Sequence, residues 1–461
     1  MAGKVTLLGA GPGNPELLTV LGQRRLKEAE VIFFDRLVNP SLLALANPMA
    51  EMVDVGKLPR FHRVKQVKIN ELLIEYAQAG KHVVRLKAGD PYVFGRGGEE
   101  AQVLTAAGVD FEVIPGITSA IAGLAAAGIP VTHRDYASSF HVITAHHQAD
   151  GKTIDWPNVA KMEGTLVFLM GMANLDEICR HLVEHGKPAT TPVAVIQWAT
   201  QWRQKQVIGD LATIQAKVAA AQLTAPALIV IGDVVRLSAD LAPHLPLQGH
   251  HFLVPISKTK RLFHALQDEG ATADFYPRAR QVEREIALPK LQDYDGVAFD
   301  SIAAFRTVAR RLPQSGQDLR SLAGRQILVP NAMIAAHLRA SGLVADDVTQ
   351  FTGRLLEFGT GEALFKDSTF IDLYATTKAP LHLMPSLTEF DGVVFPSQAS
   401  VMDFLATLDD EQQAILPLLT AYAMGDTVAQ AAQAATFKQV VTCPTKTAGV
   451  IATIKEDVLH G

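Results

Sequence analysis

The sequence predicts an α/β protein of more than one domain with mainly parallel sheets. Three observations carry that prediction. Short apolar runs alternate with amphipathic ones, tight glycine turns follow the apolar runs, and the alternation starts afresh beyond a proline-containing stretch near residue 240.

In the first part, Val5–Leu8, Val31–Phe34, Val83–Leu86 and Phe111–Ile114 read as strands. Leu17–Ala29, Glu71–Ala79, a segment from about Glu99, and Thr118–Ala127 read as helices. Asn14 is placed to cap the first helix and Pro15 to occupy its first turn. A second block has strands at His141–Thr144, Thr165–Leu169, Val193–Ile196 and Ala227–Ile231, with helices at Leu175–Glu184 and Leu211–Ala221. The stretch Leu237–Gly249 holds two prolines, ends in glycine and has no period, so it reads as a linker. A fresh strand follows at Phe252–Ile256. Two similar phrases then occur, Tyr294-Asp295-Gly296-Val297-Ala298-Phe299-Asp300-Ser301 and Phe390-Asp391-Gly392-Val393-Val394-Phe395-Pro396-Ser397. Each is a strand ending in a serine turn before a helix, the mark of an internal duplication and hence of two α/β lobes.

Bulk properties narrow the function. At 461 residues the chain exceeds one ordinary core. Its hydrophobic content of 48% and charged content of 19% fit a folded protein, and its net charge of -5 gives no global basic field for nucleic acid. Two distant cysteines, Cys179 and Cys443, argue against a disulfide framework and for a reducing, cytoplasmic setting. No segment has the length and apolarity to span a bilayer. His146 and His147 lack a second ligand pair at suitable spacing, so no metal is expected.

The chemistry concentrates in glycine-rich turns. Gly9-Ala10-Gly11-Pro12-Gly13 lies between a strand and a helix, with Asp35 further on where a dinucleotide fold puts its ribose acid. Asn14 stands where that fingerprint needs its third glycine, and Pro12 offers no amide to a pyrophosphate. A nicotinamide site, a bare structural turn and a loop for another ligand all remain open for this segment alone. The second cluster, Val84 to Glu100, contains Ala88-Gly89-Asp90-Pro91 and Gly95-Arg96-Gly97-Gly98-Glu99-Glu100. Glycine there lets backbone approach a ligand, and loops after strands are where α/β proteins place their sites.

Taken together, these segments resemble the uroporphyrinogen-III C-methyltransferases, within the tetrapyrrole methyltransferases. The matching residues are Gly9 through Thr19, Phe34-Asp35-Arg36-Leu37-Val38, Gly56-Lys57, the Val84–Glu100 stretch, Pro115 through Ala120, Gly128 through Arg134, and Leu166 through Gly171. The resemblance runs from about Lys4 to about Leu237. It implies a two-lobed methyltransferase domain over 1–240, with lobes of about 1–115 and 116–240. S-adenosylmethionine would lie in the cleft between the lobes, and the domain would form a homodimer. The implied reaction methylates uroporphyrinogen III at C2 and C7 to precorrin-2, toward sirohaem or cobalamin. Methyl-donor contacts are implied for Pro12, Ala88, Gly89, Asp90, Val93, Thr118, Ser119, Met170 and Ala199. Asp35 and Lys57 match a proton acceptor and donor, and Arg96 and Glu99 match a pair acting at the substrate.

A polycarboxylate substrate suits Arg96, which can hold a carboxylate bidentately, and suits the basic stretch Lys57–Lys68. The alternative for Asp35 is a strand-end carboxylate paired with Arg36, and for the basic stretch a solvated face. Ala88, Ala145 and Ala199 replace glycines of the family pattern, each at a point of expected close donor approach.

After a linker at 241–250, residues 251–461 resemble uroporphyrinogen-III synthase, a two-lobed α/β fold that closes hydroxymethylbilane with inversion of one ring. The resemblance rests on the strand Phe252–Ile256, the two Asp-Gly-Val…Ser phrases, the segment Thr420–Ala429 and Pro444–Gly449. Candidate residues are Ser301, Ser397, Tyr374 and Thr427, with helix capping as the alternative for both serines. Pro255-Ile256-Ser257 replaces the family's threonine-arginine, and the stretch Phe351–Thr377 looks too short for a full set of elements. A degenerate, non-catalytic second half is therefore the competing expectation.

Overall fold

The structure, a computed structural model, describes residues 3–47, 49–56, 66–145, 154–257, 259–276, 280–346, 351–377 and 386–460. Lys57, most of the basic stretch after it, and His146 and His147 lie outside the described residues. The chain forms two compact units, Met1–Pro277 with Leu381–Gly461, and Arg278–Pro380.

The first sheet contains β1 (Lys4–Gly9), β2 (Val31–Phe34), β3 (Glu51–Asp54), β4 (His82–Lys87) and β5 (Asp110–Ile114) in the order β3-β2-β4-β1-β5. All its pairings are parallel. Helices cover both faces, so its central strands are buried and mostly apolar, with Arg85 and Lys87 on β4 as charged exceptions. Leu8, Val84 and Leu86 are buried against one layer, and Val5, Leu7 and Val83 against the other. The first helix begins later than its pattern suggests. Asn14 caps a single turn, Pro15–Leu17; Leu18 is extended; and the Thr19 hydroxyl then accepts from the Gly22 amide to start the helix Val20–Glu28.

The second sheet contains β6 (Phe140–Thr144), β7 (Thr165–Leu169), β8 (Pro192–Gln197), β9 (Lys205–Asp210) and β10 (Ala227–Ile231) in the order β6-β7-β10-β8-β9. Only β6 and β7 pair in parallel; β10 and β9 run antiparallel to their neighbours. β9 is an edge strand with a partly exposed, polar sequence, which is why its residues give no apolar run.

A third, all-parallel sheet holds His251–Pro255, Thr272–Tyr276, Gly392–Phe395, Thr420–Met424 and Gln439–Cys443. The second unit carries a four-stranded parallel sheet (Gln326–Leu328, Gly296–Phe299, Leu355–Gly359, Thr369–Asp372) and the antiparallel ribbon of Arg280–Glu283 with Tyr374–Thr377. The stretch Phe351–Thr377 thus supplies three strands.

The duplicated phrase is a structural recipe used twice, in two different sheets. Its aspartate accepts a backbone amide, Arg354 on Asp295 and His251 on Asp391, both at 2.8 Å. Its glycine leaves room for an aromatic neighbour. A Cβ on Gly296 would fall 2.4 Å from Phe351, and one on Gly392 2.7 Å from Tyr422. Its serine caps the next helix, with Ser301 accepting from Ala304 and Ser397 from Ser400.

The stretch read as a linker is well anchored. It begins in a helical turn at Ser238–Leu241, where the buried Ser238 hydroxyl donates to the Ala127 carbonyl at 2.6 Å. Leu247 is fully buried among Phe252, Leu266 and Phe275. Nearby, the buried Ser41 hydroxyl donates to Asp274, whose other oxygen lies 2.8 Å from Nε2 of the buried His251.

An ion network stitches the edge of the first sheet. Glu112 on β5 contacts Lys4 at 3.1 Å, the Thr6 hydroxyl at 3.0 Å and Arg25 at 2.7 Å. Partial burial opposes the charge on Glu112, but hydrogen bonds from Arg25, Lys4 and Thr6 outweigh it and hold the carboxyl at about 2. A depressed folded pKa stabilises the fold above the unfolded carboxyl value and loses that contribution as pH falls toward 2. The stability gap between the native chain and Glu112→Gln is therefore expected to be full at pH 6 and to close between about pH 4.5 and pH 2. Urea denaturation across that range measures it, and a pH-independent gap contradicts the assignment.

Candidate functional site

Three loops leave the same edge of the first sheet, after β1, β4 and β5, and their backbones pack in direct contact. Gly89 donates to the Gly11 carbonyl at 2.8 Å, and Gly11 returns a bond to Gly89 at 3.2 Å. A Cβ on Gly9 would fall 2.4 Å from the Gly116 Cα, and one on Gly116 would fall 2.1 Å from the Gly89 carbonyl oxygen. No side chain fits at either position, and Gly89 also has a positive φ of 69°. Asp90 locks the arrangement: Oδ2 accepts from the Gly116 amide at 2.9 Å and Oδ1 from the Tyr92 amide at 2.8 Å.

These loops form one wall of a cleft of about 240 Å³. Pro12, Ala88, Gly89, Asp90, Val93, Thr118, Ser119, Met170 and Ala199 all line it. Every residue that the sequence marks as a methyl-donor contact therefore faces the same space. The opposite wall comes from the ends of β7, β8 and β10, through Leu169, Ile196 and Pro226–Leu228.

Leu37, Phe94, Trp198 and Gln201 also line the cleft though none is marked as a donor contact; Leu37 and Phe94 lie within segments that carry the resemblance, Trp198 and Gln201 outside them. Two of these lining residues share an unusual backbone. Phe94, Met170 and Trp198 have φ of 53°, 57° and 47°, and Thr200, beside the cleft, has 68°. Such non-glycine conformations cost about 1–3 kcal/mol each and concentrate at ligand sites, where the surroundings enforce them. Exposed apolar Phe94 and Met170 give the cleft an apolar lining.

The alanines that replace family glycines are accommodated locally. A Cβ on Gly123 would lie 3.0 Å from the Ala199 methyl, so the glycine makes room for it. Ala145 faces Gly171 in the same way, at 3.2 Å, and is buried in the second-sheet core rather than lining the cleft. Ala88 lines the cleft, as Ala199 does.

The reactive candidates lie beside a buried ionic network. Asp35, at the end of β2, contacts Arg85 at 2.5 Å rather than its neighbour Arg36. Arg85 Nε also contacts Glu100 at 3.2 Å, and Lys87 contacts the same Glu100 oxygen at 3.0 Å, as does Gln66 at 2.9 Å. Arg85, Lys87 and Glu100 are all buried, and Glu100 Oε2 has no hydrogen-bond partner. Burial pushes the Lys87 ammonium below its usual range, with Arg85 adding to the effect and Glu100 opposing it. The strand sequence Val84-Arg85-Leu86-Lys87 hides this network. Its alternation looks like a half-exposed strand, although a sheet covered on both faces demands a buried partner for such charges.

Arg96 and Glu99 pair with each other at 2.5 Å at the exposed start of the helix Gly97–Ala106. The hydrogen bond from Arg96 holds the Glu99 carboxyl below the ordinary range. Arg96 adopts a φ of 60°, a further left-handed residue in this loop.

Among the described residues, one cluster has potential metal ligands, His181, Glu184 and His185. Arg180 binds both Glu184 oxygens at 3.0 and 3.1 Å and approaches His181 at 3.3 Å, so this carboxylate already has a cationic partner.

The model of the tetrapyrrole (corrin/porphyrin) methylases matches residues 4–215. A uroporphyrinogen-III C-methyltransferase of Bacillus subtilis (strain 168) is 46% identical over 332 residues, covering 70% of this chain and 68% of that protein. The porphyrin biosynthesis protein HemD of Ruminiclostridium josui is 32% identical over 483 residues, covering 95% of each. Among solved structures, a uroporphyrin-III C-methyl transferase from Thermus thermophilus complexed with S-adenyl homocysteine is 39% identical. It covers 51% of this chain and 99% of that one, with a TM-score of 0.45.

Glu100 balances two buried cations, so its removal leaves Lys87 without its ion-pair partner and Arg85 with Asp35 alone. Glu100→Ala is expected to destabilise the fold by about 3–5 kcal/mol, more than the exposed Glu99→Ala, at no more than about 1 kcal/mol. Chemical denaturation of the two variants checks the ranking.

Proposed function

Because the chain belongs to the uroporphyrinogen-III C-methyltransferases of the tetrapyrrole methylase family, we propose that it methylates uroporphyrinogen III at C2 and C7, giving precorrin-2. The proposed active part spans 1–240, with lobes at about 1–115 and 116–240, and works as a cytoplasmic homodimer. No helix among the described residues is long and apolar enough to cross a membrane. The observation that supports this reading best is the shared cleft, whose lining includes all nine expected donor contacts.

S-adenosylmethionine supplies a methyl on a sulfonium, already activated toward a carbon nucleophile. The site needs alignment and dryness rather than a metal. At Gly89 a Cβ would meet nothing within 4 Å, which leaves space at the cleft for a close-lying ligand, while Phe94, Met170 and Trp198 give it an apolar lining. Alkylation of a pyrrole carbon leaves a cationic ring that must lose a proton. Asp35 takes that proton, and Arg85 fixes the direction its carboxylate faces. Lys57 is its proposed counterpart as proton donor. Arg96 exchanges its bond to Glu99 for a substrate carboxylate, a bidentate contact that lysine could not reproduce.

For residues 251–461, after a linker at 241–250, we propose uroporphyrinogen-III synthase activity, in keeping with the similarity to HemD along the chain. One observation favours the second reading, a non-catalytic module. Ser301 and Ser397 are engaged as helix caps, and the buried Tyr374 hydroxyl donates to Thr307 at 2.8 Å. Thr427, in the first turn of the helix Asp426–Gln433, is the candidate left without a structural duty in the described contacts.

Incubating the full chain with uroporphyrinogen III and S-adenosylmethionine is expected to give a product carrying two added methyl groups, followed by mass and absorbance. Absence of methylated product overturns the proposal. Asp35→Asn is expected to lower kcat by about 100-fold or more while donor affinity stays nearly constant. Hydroxymethylbilane supplied without the methyl donor separates the two readings of the second half. Uroporphyrinogen III as product supports the synthase, and the spontaneous I isomer alone supports the module.

A further inference from the structure

The methyl-donor cleft is braced by residues of the synthase-like half, and we infer that Gln267 and Glu389 are positioning residues for methyl-donor binding. This rests on the donor-site reading above.

Two contacts reach the cleft from that half. The first runs to the loop behind Pro12. Gln267 donates to Asn14 Oδ1 at 3.1 Å, and His264, on the same helix (Arg261–Asp268), lies 2.7 Å from Glu16. Asn14 in turn donates its amide to Thr200 Oγ1 at 3.2 Å, linking the Pro12 loop to the turn that carries Trp198 and Ala199. The second contact acts on that turn directly. The Arg203 guanidinium sits 3.8 Å over the Trp198 ring, and its other side faces Glu389 at 3.7 Å. Trp202 stacks on His251 at 5.1 Å, and His251 also stacks on Phe390.

The turn has a reason to need this support. Trp198 and Thr200 both hold left-handed backbone conformations, which persist only when neighbouring groups over-determine them. Within the first half, Gln204 contributes by accepting from the Thr200 amide at 2.7 Å and donating to Ala126 at 3.0 Å. Asn39 also donates to the Gly13 carbonyl at 2.8 Å, and Gln267 on Asn14 and Glu389 on Arg203 add further restraints from the other half. Neither Gln267 nor Glu389 lines the cleft, so each acts through another side chain: Glu389 through Arg203, Gln267 through Asn14.

A structural role alone would alter stability without touching donor binding selectively, and kinetics separate the two. In the full chain, Gln267→Ala combined with Glu389→Ala is expected to raise the Kd for S-adenosylhomocysteine by about fivefold or more, read by calorimetry. The KM for the methyl donor is expected to rise equally, with kcat at saturating donor unchanged. Glu389→Asp, which keeps the charge, is expected to recover most of the affinity. Lys455→Met breaks a 2.9 Å ion pair with Glu269, at the end of the helix that carries Gln267 but contacting neither Asn14 nor Arg203, and is expected to leave the Kd unaltered. Equal affinities for the native chain and the double variant overturn the inference, and so does an equal loss in Lys455→Met. Should the double variant fail to fold, the single Gln267→Ala carries the same test. A native chain with no affinity for S-adenosylhomocysteine instead refutes the donor-site reading itself, and the inference with it.

Discussion

The backbone contact among Gly9, Gly89 and Gly116 is the constraint on which the rest of the first half depends. Three parallel strands end within van der Waals reach of one another, so their loops share a volume that no side chain can enter. That crowding forces the loops outward together and opens the cleft above them. Asp90 then spends its carboxylate on the Gly116 and Tyr92 amides, which makes it a clasp between loops before it is anything else. The family pattern of glycines follows as a packing requirement as much as a binding one.

Below this layer lies a second constraint of a different kind. Arg85, Lys87 and Glu100 carry net positive charge in a region without water, with Asp35 at its outer edge. Buried ions are costly unless paired; here Arg85 and Lys87 share one glutamate oxygen, and Arg85 also reaches Asp35. The arrangement gives Asp35 a fixed orientation from a rigid strand. A loop-borne partner such as Arg36 would hold it far less firmly.

Much of this was legible in the residues. Strongly apolar strands with glycine turns, such as Val5–Gly9 and Val83–Gly89, reveal themselves because both burial and close approach leave compositional marks. The duplicated Asp-Gly-Val phrase was legible for the same reason, each residue answering a separate local demand. What stayed hidden depends on distant partners. β9 is half-exposed and gives no run of apolar residues. Trp198 and Phe94 reach the cleft through left-handed turns that no propensity marks for an aromatic residue. Glu100 looks like the second of two surface acids until the helix Gly97–Ala106 turns it under the sheet.

The buried triplet of Ser41, Asp274 and His251 carries a consequence for the ancestry of the chain. Asp274 is satisfied from two sides, by a hydroxyl from the first half and an imidazole from the second. Once such a group is enclosed, a first half without a hydroxyl at position 41 would leave one buried Asp274 oxygen without that donor, with His251 still on the other. The join therefore depends on a chemical match between position 41 and position 274. Chimeras that cut between the halves should therefore exchange Ser41 and Asp274 together, treating the seam as one inherited character.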